Sequence, residues 1–139
     1  MTTLSKTIRI STKGNCDMID ITAEIAREIS NSNINNGIVT IFISGSTAGI
    51  TTIEYEAGVI SDFQDMWDRN APSNIPYQHD QRWGDGNGYS HVRASLQGPS
   101  LVVPFANKKM ALGTWQQIVV VDFDNRARTR EIILQLLGE

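Results

Sequence analysis

From residue 89 onward the chain reads as one strand-like segment after another, with no amphipathic helical stretch between them. The segments are YSHVRASLQ, SLVVPF, ALGTWQQIVVVDFD and REIILQLLGE, parted by turn residues such as Gly98-Pro99 and Asn107-Lys108-Lys109. A run of strands without intervening helices suggests an antiparallel or mixed sheet. The last segment also fits a helix by period alone, but its length and the extended look of Arg128 to Arg130 favour a strand.

The first half supplies the helices. Residues 6–11 (KTIRIS) alternate polar and apolar, which predicts a half-buried strand with Ile8 and Ile10 inward. In DITAEIAREISNS, Ile21, Ile25 and Ile29 recur every four residues; Asp20 or Thr22 can cap the start, and Asn35, Asn36 and Gly37 supply a stop. GIVTIFIS is an apolar, β-branched run of strand length, expected as a central strand covered on both faces. A short β segment, ITTIEYE, precedes a helix, AGVISDFQDMWDR, whose stripe is Val59, Ile60, Phe63 and Trp67; NAPSNIP breaks it and a loop runs to about residue 88. The expectation is an α+β fold with helices packed on antiparallel or mixed β-sheets, one domain over residues 1–139.

With 139 residues, 40% of them hydrophobic, the chain can bury one normal core and no more. No apolar run approaches the roughly 18 residues of a membrane helix, and MTTLSKTIRIST lacks a signal-peptide centre, so a cytoplasmic protein without membrane partners is expected. A net charge of −3 argues against nucleic acid as partner, since phosphate backbones are bound through clustered cations. The one basic cluster, Arg126, Arg128 and Arg130, alternates along a predicted strand and reads as a solvated face. Cys16 stands alone, which excludes an internal disulfide and makes it a poor nucleophile candidate.

Chemistry concentrates in WGDGNGYSHVRASLQG, residues 83–98. Read as a strand, it puts His91, Arg93 and Ser95 on one face and Val92, Ala94 and Leu96 on the other, so an imidazole, a guanidinium and a hydroxyl line up toward an anionic ligand. Gly84, Gly86 and Gly88 let main-chain amides approach a phosphate, although neither the lysine nor the following helix of a P-loop is expected here. His79, the only other histidine, and Asp80, Asp85 and Asn87 add donors that could hold a divalent metal such as Mg or Zn. Glu54 at the end of a strand, and Gly113-Thr114-Trp115-Gln116 interrupting one, complete the candidates; the expected cleft joins His91, Arg93 and Ser95 to Gly113–Gln116.

The wording STAGITTIE, His79-Asp80, WGDGNGYSHVRASLQGPSLVVPF, MALGTWQQIVVVDFDN and the terminal LLGE resembles the YjbQ family, also described as secondary thiamine-phosphate synthases. The resemblance spans nearly the whole chain and implies a trimeric α+β domain, with sites near subunit boundaries. It implies a transferase that joins hydroxymethylpyrimidine diphosphate to a thiazole phosphate, releasing diphosphate. On that pattern His79, His91, Glu54 and Asp85 are the catalytic candidates, with His79 and His91 the metal candidates. Asn87, Gly86, Gly88, Arg93, Thr114 and Gln116 are the substrate-binding candidates. Tyr89 stands where relatives carry a histidine, which leaves one histidine of a His-x-His pair. The alternatives are a trimeric phosphate or small-molecule-binding protein, and a metal-dependent hydrolase built on His79, His91 and a carboxylate.

Overall fold

A computed structural model describes residues 1–139. Eight strands form two antiparallel sheets. The larger takes β1 (Thr2–Thr12), β3 (Gly37–Ser44), β5 (Ser100–Ala106), β6 (Lys109–Met110) and β8 (Arg128–Gly138) in the order β1-β8-β3-β5-β6; the smaller takes β2 (Asp17–Asp20), β4 (Ala48–Ile53) and β7 (Gln117–Asp122) in the order β2-β7-β4. Helices α1 (Thr22–Asn31), α2 (Ala57–Asn70), α3 (Gln78–Trp83) and α4 (Gly88–Gln97) complete the chain. The mixed α+β class with antiparallel sheets is as the sequence predicts. So is the extended form of REIILQLL, which pairs along its length with β1 and β3.

The core lies between the two sheets and under α1. Inward residues of β3 and β8 (Ile41, Ile43, Ile132, Leu134, Leu136) meet Ile50, Ile118 and Val120 of the small sheet and Ile21, Ile25 and Ile29 of α1, all nearly inaccessible. Asp20 caps α1 by accepting the Thr22 N–H at 2.9 Å, and the helix ends at Ser32, whose hydroxyl donates to the Ile29 carbonyl at 2.7 Å. The stop therefore falls before Asn35 to Gly37. Gly37 serves a different need: a Cβ there would stand 2.1 Å from the Leu137 carbonyl oxygen, so only glycine lets β3 lie this close to β8. A second cluster forms on the other face of the small sheet, where Val119, Val121 and Phe123 pack on Trp67 of α2 and Ala94 of α4. Trp67 meets the Phe123 ring edge-on at 4.9 Å.

The strand covered on both faces is β7, not β3. Residues 118–121 (IVVV) send Ile118 and Val120 into one cluster and Val119 and Val121 into the other. GIVTIFIS has the same apolar content, but its alternate residues Ile38 and Phe42 look outward and are 38% and 40% exposed. An apolar run cannot by itself say whether its second face is covered.

Three local expectations fail. YSHVRASLQ is helix α4, the loop before residue 88 contains helix α3, and residues 111–116 form no strand, the chain turning there before β7 starts at Gln117. The helix buries Tyr89, Ser90, Arg93 and Ala94 and leaves Val92 and Leu96 exposed at 48% and 71%. Buried positions at spacings of one, three and four are the helical period. The polar-apolar alternation of HVRASL is therefore incidental: of its apolar members Ala94 is buried while Val92 and Leu96 are exposed. The ends carry the helix signals: Asp80 accepts the Gly88 N–H at 2.8 Å, and Gly98, at φ 90°, ends the helix and donates its N–H to Ala94.

Candidate functional site

A polar cleft of about 370 Å³ opens where three stretches meet. Gly45, Ser46 and Thr47 come from the turn between β3 and β4; His79, Trp83, Asp85, Asn87 and His91 come from α3, α4 and the loop between them; Arg128 and Arg130 come from the start of β8. The two histidines do converge. Their ring centroids lie 4.4 Å apart with planes inclined by 38°, His79 from α3 against His91 from the first turns of α4.

The loop between α3 and α4 is built for this meeting. Gly84 and Gly86 sit at φ 75° and 68°, a left-handed backbone that side-chain-bearing residues rarely adopt, so these glycines turn the chain. At Gly88 a Cβ would stand 2.6 Å from Tyr77 Cβ, so this glycine lets α4 pack on the start of α3. Neither Gly86 nor Gly88 lines the cleft. The Asp85 carbonyl is tied to β8's approach through the Asn125 side-chain amide at 2.8 Å. Asp80 is occupied as the cap of α4 and stands 3.7 Å from Nδ1 of His79, beyond hydrogen-bonding reach.

Arg128 and Arg130, expected on a solvated face, are anchored instead. Arg130 is buried and grips Asp122 with two donors, Nε to Oδ2 at 2.7 Å and Nη2 to Oδ1 at 2.9 Å, while Nη2 also donates to the Thr47 hydroxyl at 2.6 Å. Arg128 donates Nε to Asp124 Oδ2 at 2.8 Å, makes no other side-chain hydrogen bond in the chain, and is one-third exposed toward the cleft. Its terminal nitrogens are the most exposed uncommitted cationic donors of the site. Asp124 is fully buried, which pushes its carboxyl up, but hydrogen bonds from Thr47, the Asn125 amide, Arg128 and Asn87 outweigh burial and hold it below the ordinary value. The pattern DFDN…RTR carried this signal: aspartates and arginines alternating on opposite sides of a turn can pair across it.

Other candidates lie elsewhere. Residues two apart on a helix point to nearly opposite sides, so Arg93 turns away from His91. It is 3% exposed, donates Nε to the Ala71 carbonyl at 2.9 Å and Nη2 to Asp68 at 3.2 Å, and sits over the Tyr89 ring, which locks α4 to the end of α2. Ser95 spends its hydroxyl on the His91 carbonyl. Tyr89 is buried on the Arg93 side, so a histidine there would not join the His79–His91 pair. Glu54 and Thr114 line a separate depression with Trp115, and Gln116 donates to the Thr52 hydroxyl beside another. Within one chain the cleft is therefore not shared with Gly113–Gln116. No group of three or more His, Cys, Asp or Glu side chains stands close enough to hold a metal ion. Cys16 is buried against this framework, and desolvation, only partly offset by Arg93, raises its thiol to about 11.

No helix is long and apolar enough to cross a membrane. Comparison with known proteins matches the whole architecture. A UPF0047 protein of Methanothermobacter thermautotrophicus is 34% identical over 139 residues, all of this chain and 95% of that one, and the UPF0047 protein YugU of Bacillus subtilis is 34% identical over 134 residues, 96% and 98% of the two chains. Among solved structures, a YbjQ-like protein of unknown function from Sulfolobus solfataricus superimposes with a TM-score of 0.93 at 30% identity, covering 99% of both chains. A YjbQ/UPF0047-family protein of Clostridium acetobutylicum gives a TM-score of 0.82 at 32% identity over 94% of this chain and 99% of that one. The family model described as UPF0047 protein YjbQ-like matches residues 6–139, and the chain belongs to that family.

Proposed function

We propose that the chain is a transferase of the thiamine-phosphate synthase type, acting in the cleft between α3, α4 and the start of β8. One observation carries this reading: His79, His91 and the uncommitted guanidinium of Arg128 converge on a single polar cleft. In the reaction, the thiazole nitrogen attacks the methylene carbon of hydroxymethylpyrimidine diphosphate. The new C–N bond forms as the C–O bond breaks, and the electron pair leaves with diphosphate. Charge then builds on the leaving oxygens. Arg128 faces that charge with planar paired donors, and the His79–His91 pair stands beside it as the general acid. No three His, Cys, Asp or Glu side chains of one chain cluster closely enough to hold a catalytic metal.

The reading includes a homotrimer. The outer face of the five-stranded sheet carries Ile38, Phe42, Val102 and Leu137, each exposed by 36% to 55%, an apolar surface that a second copy would cover. A neighbouring copy is also the means by which Glu54 and Thr114 would reach a cleft they do not reach within one chain. Sedimentation showing a stable monomer at micromolar concentration would refute the assembly.

The activity is tested with His91→Ala, assayed for turnover of both precursors beside thermal unfolding. His91 is half-buried on a helix and makes no side-chain hydrogen bond, so the variant should fold with little loss and lose turnover by two or more orders of magnitude. Full turnover in a folded variant would remove the cleft from the reaction. A variant that binds the diphosphate precursor like the parent, when the parent itself turns nothing over, would instead leave a phosphate-binding protein.

A further inference from the structure

We propose that Asp124 is the positioning residue of this cleft, turning Arg128 so that its terminal nitrogens face a diphosphate; the proposal rests on the reading of the cleft given above. Asp124 touches no solvent, and its two oxygens accept hydrogen bonds from each of the three stretches that make the walls. Oδ2 accepts from the Thr47 hydroxyl at 2.9 Å and from Arg128 Nε at 2.8 Å; Oδ1 accepts from Asn87 Nδ2 at 3.4 Å and from the Asn125 N–H at 2.8 Å. Thr47, Arg128 and Asn87 all line the cleft.

The donor directions are fixed. Thr47 has one hydroxyl proton and gives it to Asp124, which leaves its oxygen to accept from Arg130 Nη2. Arg130 gives Nε and Nη2 to Asp122 and Thr47 and is 8% exposed, so Arg128, one-third exposed, is the guanidinium more open to a ligand. Because a guanidinium is planar and rigid, holding Nε against Asp124 sets the plane and aims the terminal nitrogens. Without that hold the side chain would regain its rotamers and the two donors would lose their common orientation.

Charge and position predict opposite results, which makes the idea testable. Asp124 is an anion near an anion site, so removing its charge should tighten diphosphate binding if charge were its main contribution. If position dominates, losing either its charge or its reach should weaken binding. The experiment titrates inorganic diphosphate into the full-length protein by calorimetry for the parent, Asp124→Asn, Asp124→Glu, Arg128→Ala and both double variants. The expected result is that Asp124→Asn and Asp124→Glu each weaken binding by about tenfold or more, yet change it by less than about twofold in the Arg128→Ala background. Tighter or unchanged binding by Asp124→Asn, or the same loss with and without Arg128, overturns the positioning role. Absence of diphosphate binding by the parent overturns the reading of the cleft itself, and this proposal with it. If neither Asp124 variant folds, the unmutated protein decides by nuclear magnetic resonance. The Arg128 Nε–H should exchange slowly and stay in place while diphosphate shifts the terminal N–H signals, and a freely exchanging Nε–H overturns the proposal.

Discussion

Replacing Arg130 by Met tests whether the charged network beneath the cleft holds the two sheets in register. Arg130 sits on β8 of the large sheet and Asp122 ends β7 of the small one, so their pair crosses from sheet to sheet. Met fills similar volume without charge, and leaves Asp122 fully buried with Thr12 Oγ1 and the Asp124 N–H as its remaining donors. Breaking a buried pair by removing one partner costs about 3–5 kcal/mol, because the other charge stays uncompensated. For a chain of this size that corresponds to a fall in Tm of roughly 10–20 °C. The assay is thermal unfolding by circular dichroism at fixed protein concentration, since an assembly would make Tm depend on concentration. Arg130→Met with Asp122→Asn should recover part of the loss, because it removes the stranded charge. A loss below about 1 kcal/mol in the single variant would refute the reasoning, for it would mean Asp122 is solvated or neutral without its partner.

Three further outcomes are expected. Cys16, buried and with its thiol raised from 9.0 to about 11, should carry on the order of one thiolate in a thousand at about pH 8 and react with a thiol reagent only on unfolding; rapid labelling of the native protein would contradict this. Asp124 is held below its ordinary value of 3.8, so its contribution to stability is complete above that value and is lost as pH falls through the lower, folded one; the fall of Tm below about pH 4 should be shallower in Asp124→Asn than in the parent. Gly88→Ala places a Cβ 2.6 Å from Tyr77 Cβ and should cost about 1–3 kcal/mol while loosening the contact between His79 and His91, seen as a change in their imidazole resonances; an unchanged Tm would show that α3 yields freely.

The longer strands and helices α1 and α2 were legible because their periods extend over enough residues to be unambiguous, whereas the short β2 and β6 were not. β8 runs Arg128–Gly138 with every second residue buried, and α2 repeats its apolar stripe over fourteen residues. HVRASL offers six residues, and over six residues a two-fold alternation and a helical stripe can both be drawn. What decided for the helix lay outside the window: Asp80, eight residues before Gly88, caps its first amide, and Asp68 on α2 and Ala71 just past its end receive Arg93. Those are tertiary partners. No local pattern could have supplied them.

The site shows the same division. His79 and His91 were legible as a pair because they are the only histidines and lie close in the chain. The rest depended on the secondary structure assumed for the window. A strand places residues two apart on one face, so it assigned Arg93 to the ligand along with His91; a helix turns the same spacing through some 200°, so Arg93 becomes a brace between helices. The cation that the strand reading lost at Arg93 reappears at Arg128, and its position there is not a matter of exposure. The four charged side chains at the base of the cleft, Asp122, Asp124, Arg128 and Arg130, pair with one another, so the sequence shows a neutral set of alternating charges. Only the geometry distinguishes them: Arg130 is buried and held at Nε and Nη2 by Asp122 and Thr47, whereas Arg128 is held at Nε alone and has its planar end exposed. A ligand anion would therefore meet a single oriented guanidinium beside two imidazoles whose rings stand 4.4 Å apart, so its orientation in the cleft is set by Arg128 on one side and by the histidine pair on the other.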